Sequence, residues 1–121
     1  MRVPTHFSPE EFRCRCGCGL GIEQMRPELL ERLEAARDKA AIPFRITSAI
    51  RCPAHNRAVG GVPTSAHLYG WAVDIACTTS GERYRMVSAL IEAGFIRLGI
   101  ARSFIHADCD PTKPARVIWL Y

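Results

Sequence analysis

His67, Asp74 and His106 are two imidazoles and a carboxylate, set in sequence contexts that let each side chain leave the backbone toward one point. Together they offer three corners of a zinc tetrahedron and leave the fourth for water, which is the outline of a hydrolase site. A bound Zn²⁺ lowers the pKa of its water from about 15.7 to roughly 7 and polarises a carbonyl, so amide hydrolysis is the reaction such a site suits. Two neutral imidazoles and one carboxylate leave a net positive charge at the metal, which favours a hydroxide or a tetrahedral oxyanion. The same chemistry needs a base for the water and a donor for the oxyanion.

The elements around these residues must bring them together. Val73, Ile75 and Cys77 alternate with Ala72, Asp74 and Ala76, the pattern of a strand with one apolar face and one face of small residues plus a carboxylate. Asp74 is therefore expected opposite the core. His67 lies on the approach to this strand, and Gly70 permits the left-handed backbone that returns a loop residue beside it. In Ser103 to Cys109, Ile105, Ala107 and Cys109 fall on one side and Phe104, His106 and Asp108 on the other. If the two strands are neighbours in one sheet, Asp74 and His106 can face the same cleft.

The segment Ser65-Ala66-His67-Leu68-Tyr69-Gly70-Trp71-Ala72-Val73-Asp74 has the pattern Ser-x-His-x-x-Gly-x-Ala-x-Asp. It resembles the M15 zinc peptidases, the D-alanyl-D-alanine carboxypeptidase and dipeptidase group that shares its fold with the Hedgehog signalling domain. The later His106-Ala107-Asp108 resembles that family's final ligand segment. Residues 46–56, Ile-Thr-Ser-Ala-Ile-Arg-Cys-Pro-Ala-His-Asn, are similar to its strand, Ser-x-x-Arg turn and following helix. Residues 59–65 resemble its glycine loop, and Phe7-Ser8-Pro9-Glu10-Glu11-Phe12 resembles the opening of small members often encoded by phages and prophages. The resemblance covers nearly the whole chain. It implies one catalytic zinc ion on His67, Asp74 and His106, and peptidoglycan stem peptides as substrate. D,D-carboxypeptidase, D,D-dipeptidase and L-alanyl-D-glutamate endopeptidase action all fit.

The remaining site residues carry two readings each. Arg51 follows an expected strand, and its planar fork can bond a carbonyl or carboxylate; by residue type alone it is also a surface arginine capping the turn at Pro53. The resemblance implies that it contacts the substrate carbonyl, and that Ser65 supplies a substrate-binding hydroxyl. Ser65 reads equally as a turn residue bonded to nearby backbone. Well-known relatives place an acid three residues before the final histidine, where this chain has Ser103, which is no base at neutral pH. Asp108 shares the face of His106 about 7 Å along the strand and is the candidate catalytic acid, either holding the water or orienting a ligand. Asp110 and His55 are poorer candidates. Without a base, the chain would be a zinc-containing binding or structural module of the same fold.

Six cysteines pose a separate question. Cys77 and Cys109 fall on expected apolar strand faces and read as small buried hydrophobes, with Cys52 also standing apart. Cys14, Cys16 and Cys18 form the run Cys-Arg-Cys-Gly-Cys-Gly, which suits a second, structural metal or a disulfide clamp, though the spacing is not the usual Cys-x-x-Cys knuckle. A disulfide-stapled secreted domain without metal is a further alternative. The opening Met-Arg-Val-Pro-Thr-His lacks the apolar stretch of a signal peptide, so synthesis in the cytoplasm with reduced thiols is expected, and action at the cell wall after release of the phage-lysis type.

Length and composition set the outer bounds. A chain of 121 residues, 48% hydrophobic, suits a single domain over residues 1–121 with one core. No segment approaches the roughly 20 apolar residues of a membrane span. The formal charge of +4 comes without a block of like charges, and Arg83, Arg85, Arg97 and Arg102 are interspersed among apolar residues as on solvated faces, which argues against nucleic acid as a partner. A peptide substrate and a monomer are expected. Ser8, Pro9 and Glu11 form a capping box. The apolar spacing predicts helices over 27–40, 53–59 and about 82–93, the last with Tyr84, Val87, Leu90 and Ile91 on one side and Gly94 as its C-cap. Strands are predicted over 44–50, 95–100, 104–109 and 117–120 beside that around Asp74, giving an α+β domain with a mainly antiparallel sheet and helices packed on one face, like the Hedgehog and D,D-peptidase fold.

Overall fold

The computed structural model describes residues 6–121, so residues 1–5 of the opening segment, which bear on export, lie outside it. Three α-helices and five strands follow one another as α1 (Pro27–Ala40), β1 (Ile46–Ser48), α2 (Pro53–Ala58), β2 (Ala72–Ala76), α3 (Ser80–Glu92), β3 (Arg97–Ile100), β4 (Phe104–Asp108) and β5 (Val117–Leu120), with 3₁₀ turns at Pro9–Phe12, Ile22–Gln24 and Ala66–Tyr69. The sheet runs in the order β1-β2-β4-β3-β5, antiparallel throughout except for the parallel pair of β3 with β5. This is the α+β, mainly antiparallel architecture expected from the periodicity.

Strand alternation splits the sheet into two functional faces. One carries Ile46, Val73, Ile75, Leu98, Ile105 and Ala107, all buried in a core with Leu29, Leu30, Leu33 and Ala36 of α1 and Met86, Ala89 and Leu90 of α3. On the other face, Ser48 pairs with Asp74, Asp74 with His106, His106 with Gly99 and Gly99 with Trp119. One row across all five strands thus holds the acid, an imidazole and an indole. None of the helices among the described residues is long and apolar enough to cross a membrane.

Local chemistry explains the boundaries. The Ser8 N–H donates to the Glu11 carboxylate at 2.8 Å, closing the expected box ahead of the first 3₁₀ turn. Thr79 caps α3, its hydroxyl accepting from the Glu82 N–H at 3.2 Å, so that helix begins two residues earlier than its apolar spacing suggested. Its buried stripe is also rotated: Met86, Ala89 and Leu90 pack inward, whereas Tyr84 and Ile91 are exposed. Packing against α1 sets this phase, and a small alanine serves the close contact better than the aromatic. The strand expected over 44–50 narrows to Ile46–Ser48 because its register with β2 shifts between those two residues and the chain then leaves the ladder.

Gly70 turns the chain from the 3₁₀ segment into β2 at φ 76°, and a Cβ there would stand 2.1 Å from the Gln24 carbonyl oxygen. Gly70→Ala combines left-handed strain with a backbone clash, and a loss of about 2–3 kcal/mol is expected, read as a lowered denaturant midpoint. An unchanged midpoint would contradict this role.

Candidate metal centre

His67 is fixed on both sides. Its backbone N–H is accepted by the Ser65 hydroxyl at 3.2 Å, and its ring Nδ1 lies 2.7 Å from the Ala49 carbonyl oxygen, at the point where the chain has left β1. A carbonyl only accepts, so Nδ1 carries the proton and Nε2 turns a lone pair toward Asp74 Oδ1, 3.1 Å away. Burial penalises the imidazolium and lowers the pKa of His67 against the pull of Asp74, so the ring stays neutral.

His106 is held the same way from the opposite strand. Its Nε2 lies 2.7 Å from Asp108 Oδ2 and its Nδ1 lies 3.0 Å from the same Asp74 Oδ1. With Nε2–H donated to Asp108, the neutral ring also presents a lone pair to Asp74. Burial pulls this ring's pKa down, but the bonds that the doubly protonated ring would make to Asp108 and Asp74 outweigh it and raise the net value. Asp74 Oδ2 lies 3.3 Å from Arg51 Nη2, a cation that favours the charged carboxylate. Asp74 is therefore an anion.

Three acceptor atoms thus converge, all within 4.8 Å of one another. Even a second proton on His106 would leave His67 Nε2 facing the Asp74 oxygen lone pair to lone pair. A shared cation turns that repulsion into attraction, and the nitrogen, nitrogen and oxygen donor set suits zinc. The far nitrogen of each imidazole is anchored by a carbonyl or a carboxylate, the outer bonding that fixes tautomer and orientation in metal-binding histidines.

Arg51 sits beside the acid. Its Nη2 is 3.3 Å from Asp74 Oδ2, its Nε 3.0 Å from Ser48 Oγ and its Nη1 3.2 Å from Asn56 Oδ1. These bonds use three of the five guanidinium donors and leave one N–H on each terminal nitrogen. Arg51 is thereby tied to the centre and is more than a cap for the turn at Pro53. Ser65, buried, takes the turn-forming bond to His67 described above.

Asp108, the candidate catalytic acid, is buried beside His106. Its carboxylate is 1% exposed, engaged by His106 through Oδ2 and by Arg97 Nε, 3.0 Å from Oδ1. It lies behind the histidine, on the nitrogen that faces away from Asp74. Asp110 accepts from Thr112 and pairs with Lys113 at 3.0 Å. His55 stands on α2, where its N–H meets Cys52 Sγ. Ser103 is exposed ahead of β4.

Three supporting residues escaped sequence reasoning. Arg97 is not on a solvated face: half-buried, it pairs with Asp108, stacks on Trp119 with its guanidinium 5.0 Å from the ring centroid, and donates to the Pro114 carbonyl. Trp119 in turn lies 5.4 Å from the His106 ring, and only a glycine at position 99 admits it, since a Cβ there would stand 2.6 Å from the indole nitrogen. Asn56 is buried, donates to the Val62 carbonyl and braces Arg51. Its place five residues after an expected functional arginine was the available signal; Arg97 and Trp119 became visible only with the strand order. Asp108→Asn removes the charge that anchors His106, and metal affinity should weaken about 10–100-fold, measured by competition with a chelating dye. An unchanged affinity would remove Asp108 from the centre.

The α+β fold thus brings an acid and two imidazoles together at one point of its sheet. The family model for Peptidase M15 matches residues 5–109, and the chain belongs to that family. No curated protein matches it.

Proposed function

We propose that this chain is a zinc-dependent metallopeptidase that hydrolyses peptide bonds in peptidoglycan stem peptides at the cell wall, with His67, Asp74 and His106 as the metal ligands. The observation that carries the reading is the convergence of His67 Nε2 and His106 Nδ1 on one Asp74 oxygen, at 3.1 and 3.0 Å, in a Peptidase M15 chain. When bound, zinc supplies acidified water and Lewis-acid polarisation of the scissile carbonyl.

The chain's own residues supply position and charge. Asp108 and Ala49 hold the two imidazoles in the tautomers that keep their lone pairs turned inward. Arg51 offers its remaining N–H groups, one on each terminal nitrogen, to the substrate carbonyl or a terminal carboxylate, in a plane fixed by Ser48 and Asn56. Ser65 holds the turn that presents His67 and keeps its own hydroxyl proton available to a substrate. The bond cut is of the D,D-carboxypeptidase or L-alanyl-D-glutamate endopeptidase type, and the peptide is the partner.

A second reading is a zinc-containing, non-catalytic cell-wall module, favoured by Ser103 three positions before His106 and by the engagement of both Asp108 oxygens. Incubating the purified chain with muropeptides, with and without a chelator, and weighing the products separates the two. The enzyme reading expects release of D-alanine or a peptide fragment that stops when metal is removed and resumes on zinc addition. Intact muropeptides in the presence of bound zinc would overturn it in favour of the module.

A further inference from the structure

A second cluster lies outside the His and Asp centre. The thiols of Cys14, Cys16, Cys18 and Cys52 lie within 4.8 Å of one another, so Cys52 does not stand apart as its position in the sequence suggested. Cys16 Sγ is 3.5 Å from Cys14 Sγ and 3.6 Å from Cys52 Sγ, and no pair is singled out.

The backbone builds this gathering. In an extended strand, thiols two residues apart share a face but stand about 7 Å from each other. Here the Gly17 N–H donates to the Cys14 carbonyl at 3.1 Å and the Cys14 N–H to Leu20 at 2.9 Å, while Gly17 and Gly19 adopt φ of 81° and 99°. This turn contracts the run. Two backbone donors also point at sulfur: Cys52 N–H to Cys14 Sγ at 3.5 Å and His55 N–H to Cys52 Sγ at 3.4 Å. Such bonds stabilise sulfur as a thiolate. A tetrahedron with metal–sulfur bonds of about 2.3 Å has sulfur–sulfur edges of about 3.8 Å, close to the spacings observed.

We propose that Cys14, Cys16, Cys18 and Cys52 form a tetrathiolate site for a structural zinc ion that fastens residues 14–18 to the turn carrying Arg51. With four protein ligands the site has no open corner, so it stabilises and does not react. Because Cys52 follows Arg51 directly, the same clamp steadies the guanidinium beside Asp74.

The test is metal content and cobalt spectroscopy on the full chain, expressed with zinc and purified under reductant. The wild type should hold about two zinc ions per chain, and the double variant Cys18→Ser/Cys52→Ser about one. Cobalt replacement should give a thiolate-to-metal charge-transfer band that His106→Ala keeps and the cysteine variant loses. Should that variant fail to fold, titrating the wild type with a thiol-specific mercurial should release about one zinc ion to a chromogenic chelator. Thiol-released zinc that survives His106→Ala separates the fate of this site from that of the His and Asp centre. Reduced, folded protein with no mercurial-released zinc and no thiolate band would overturn the proposal, as would an intact mass showing these cysteines in disulfides in active, folded chain.

Discussion

On the proposed function, Asp74→Asn should abolish zinc binding at the His and Asp centre and lower peptide hydrolysis by about 10³-fold or more. The amide keeps the shape of the side chain but removes the charge on which two lone pairs converge, leaving a cation held by two neutral imidazoles beside a partly buried Arg51. Loss of a metal's stabilisation of developing charge is worth several kcal/mol, and each 1.4 kcal/mol is a factor of ten in rate. Circular dichroism separates this effect from unfolding. A variant that retains zinc and works within tenfold of the wild type would show that Asp74 is not a ligand.

Leu33→Ala tests the scaffold with the chemistry left alone. Leu33 is fully buried in the middle of α1, in the core between the helices and the sheet, on the face away from the Asp74 row. Truncating it removes apolar contacts and leaves a cavity that close-packed neighbours only partly fill, so a loss of about 2–5 kcal/mol is expected from denaturant unfolding. At temperatures where the variant stays folded, zinc affinity should match the wild type. A stability loss under 1 kcal/mol would mean that α1 is not packed as described, and a large drop in metal affinity would mean that the two faces of the sheet are coupled.

Local patterns carried much of this architecture. Alternation around Asp74 and His106 located β2 and β4 within a residue, and because period two allows each strand only one facing that buries Val73, Ile75, Ile105 and Ala107, it also put the acid and the imidazole on one face. Pro27 at the start and the leucine spacing defined α1. What failed to show depended on contacts distant in sequence. Arg97 looked solvated until β3 was seen beside β4, which sets it opposite Asp108. The side of His106 on which Asp108 lies depends on which ring nitrogen faces Asp74, and no spacing encodes that. Tyr84 and Ile91 fit an apolar stripe on α3, yet contact with α1 selected Met86 and Ala89 instead. Cys52 joined the amino-terminal thiols across a separation of 36 residues that no local motif records.

Anomalous scattering from crystals of the zinc-loaded chain at the zinc absorption edge tests most directly whether His67, Asp74 and His106 share one cation. A peak about 2 Å from His67 Nε2, an Asp74 carboxylate oxygen and His106 Nδ1 is the predicted result. Well-ordered density for these three side chains with no anomalous peak between them, in crystals grown with zinc in excess, would contradict it.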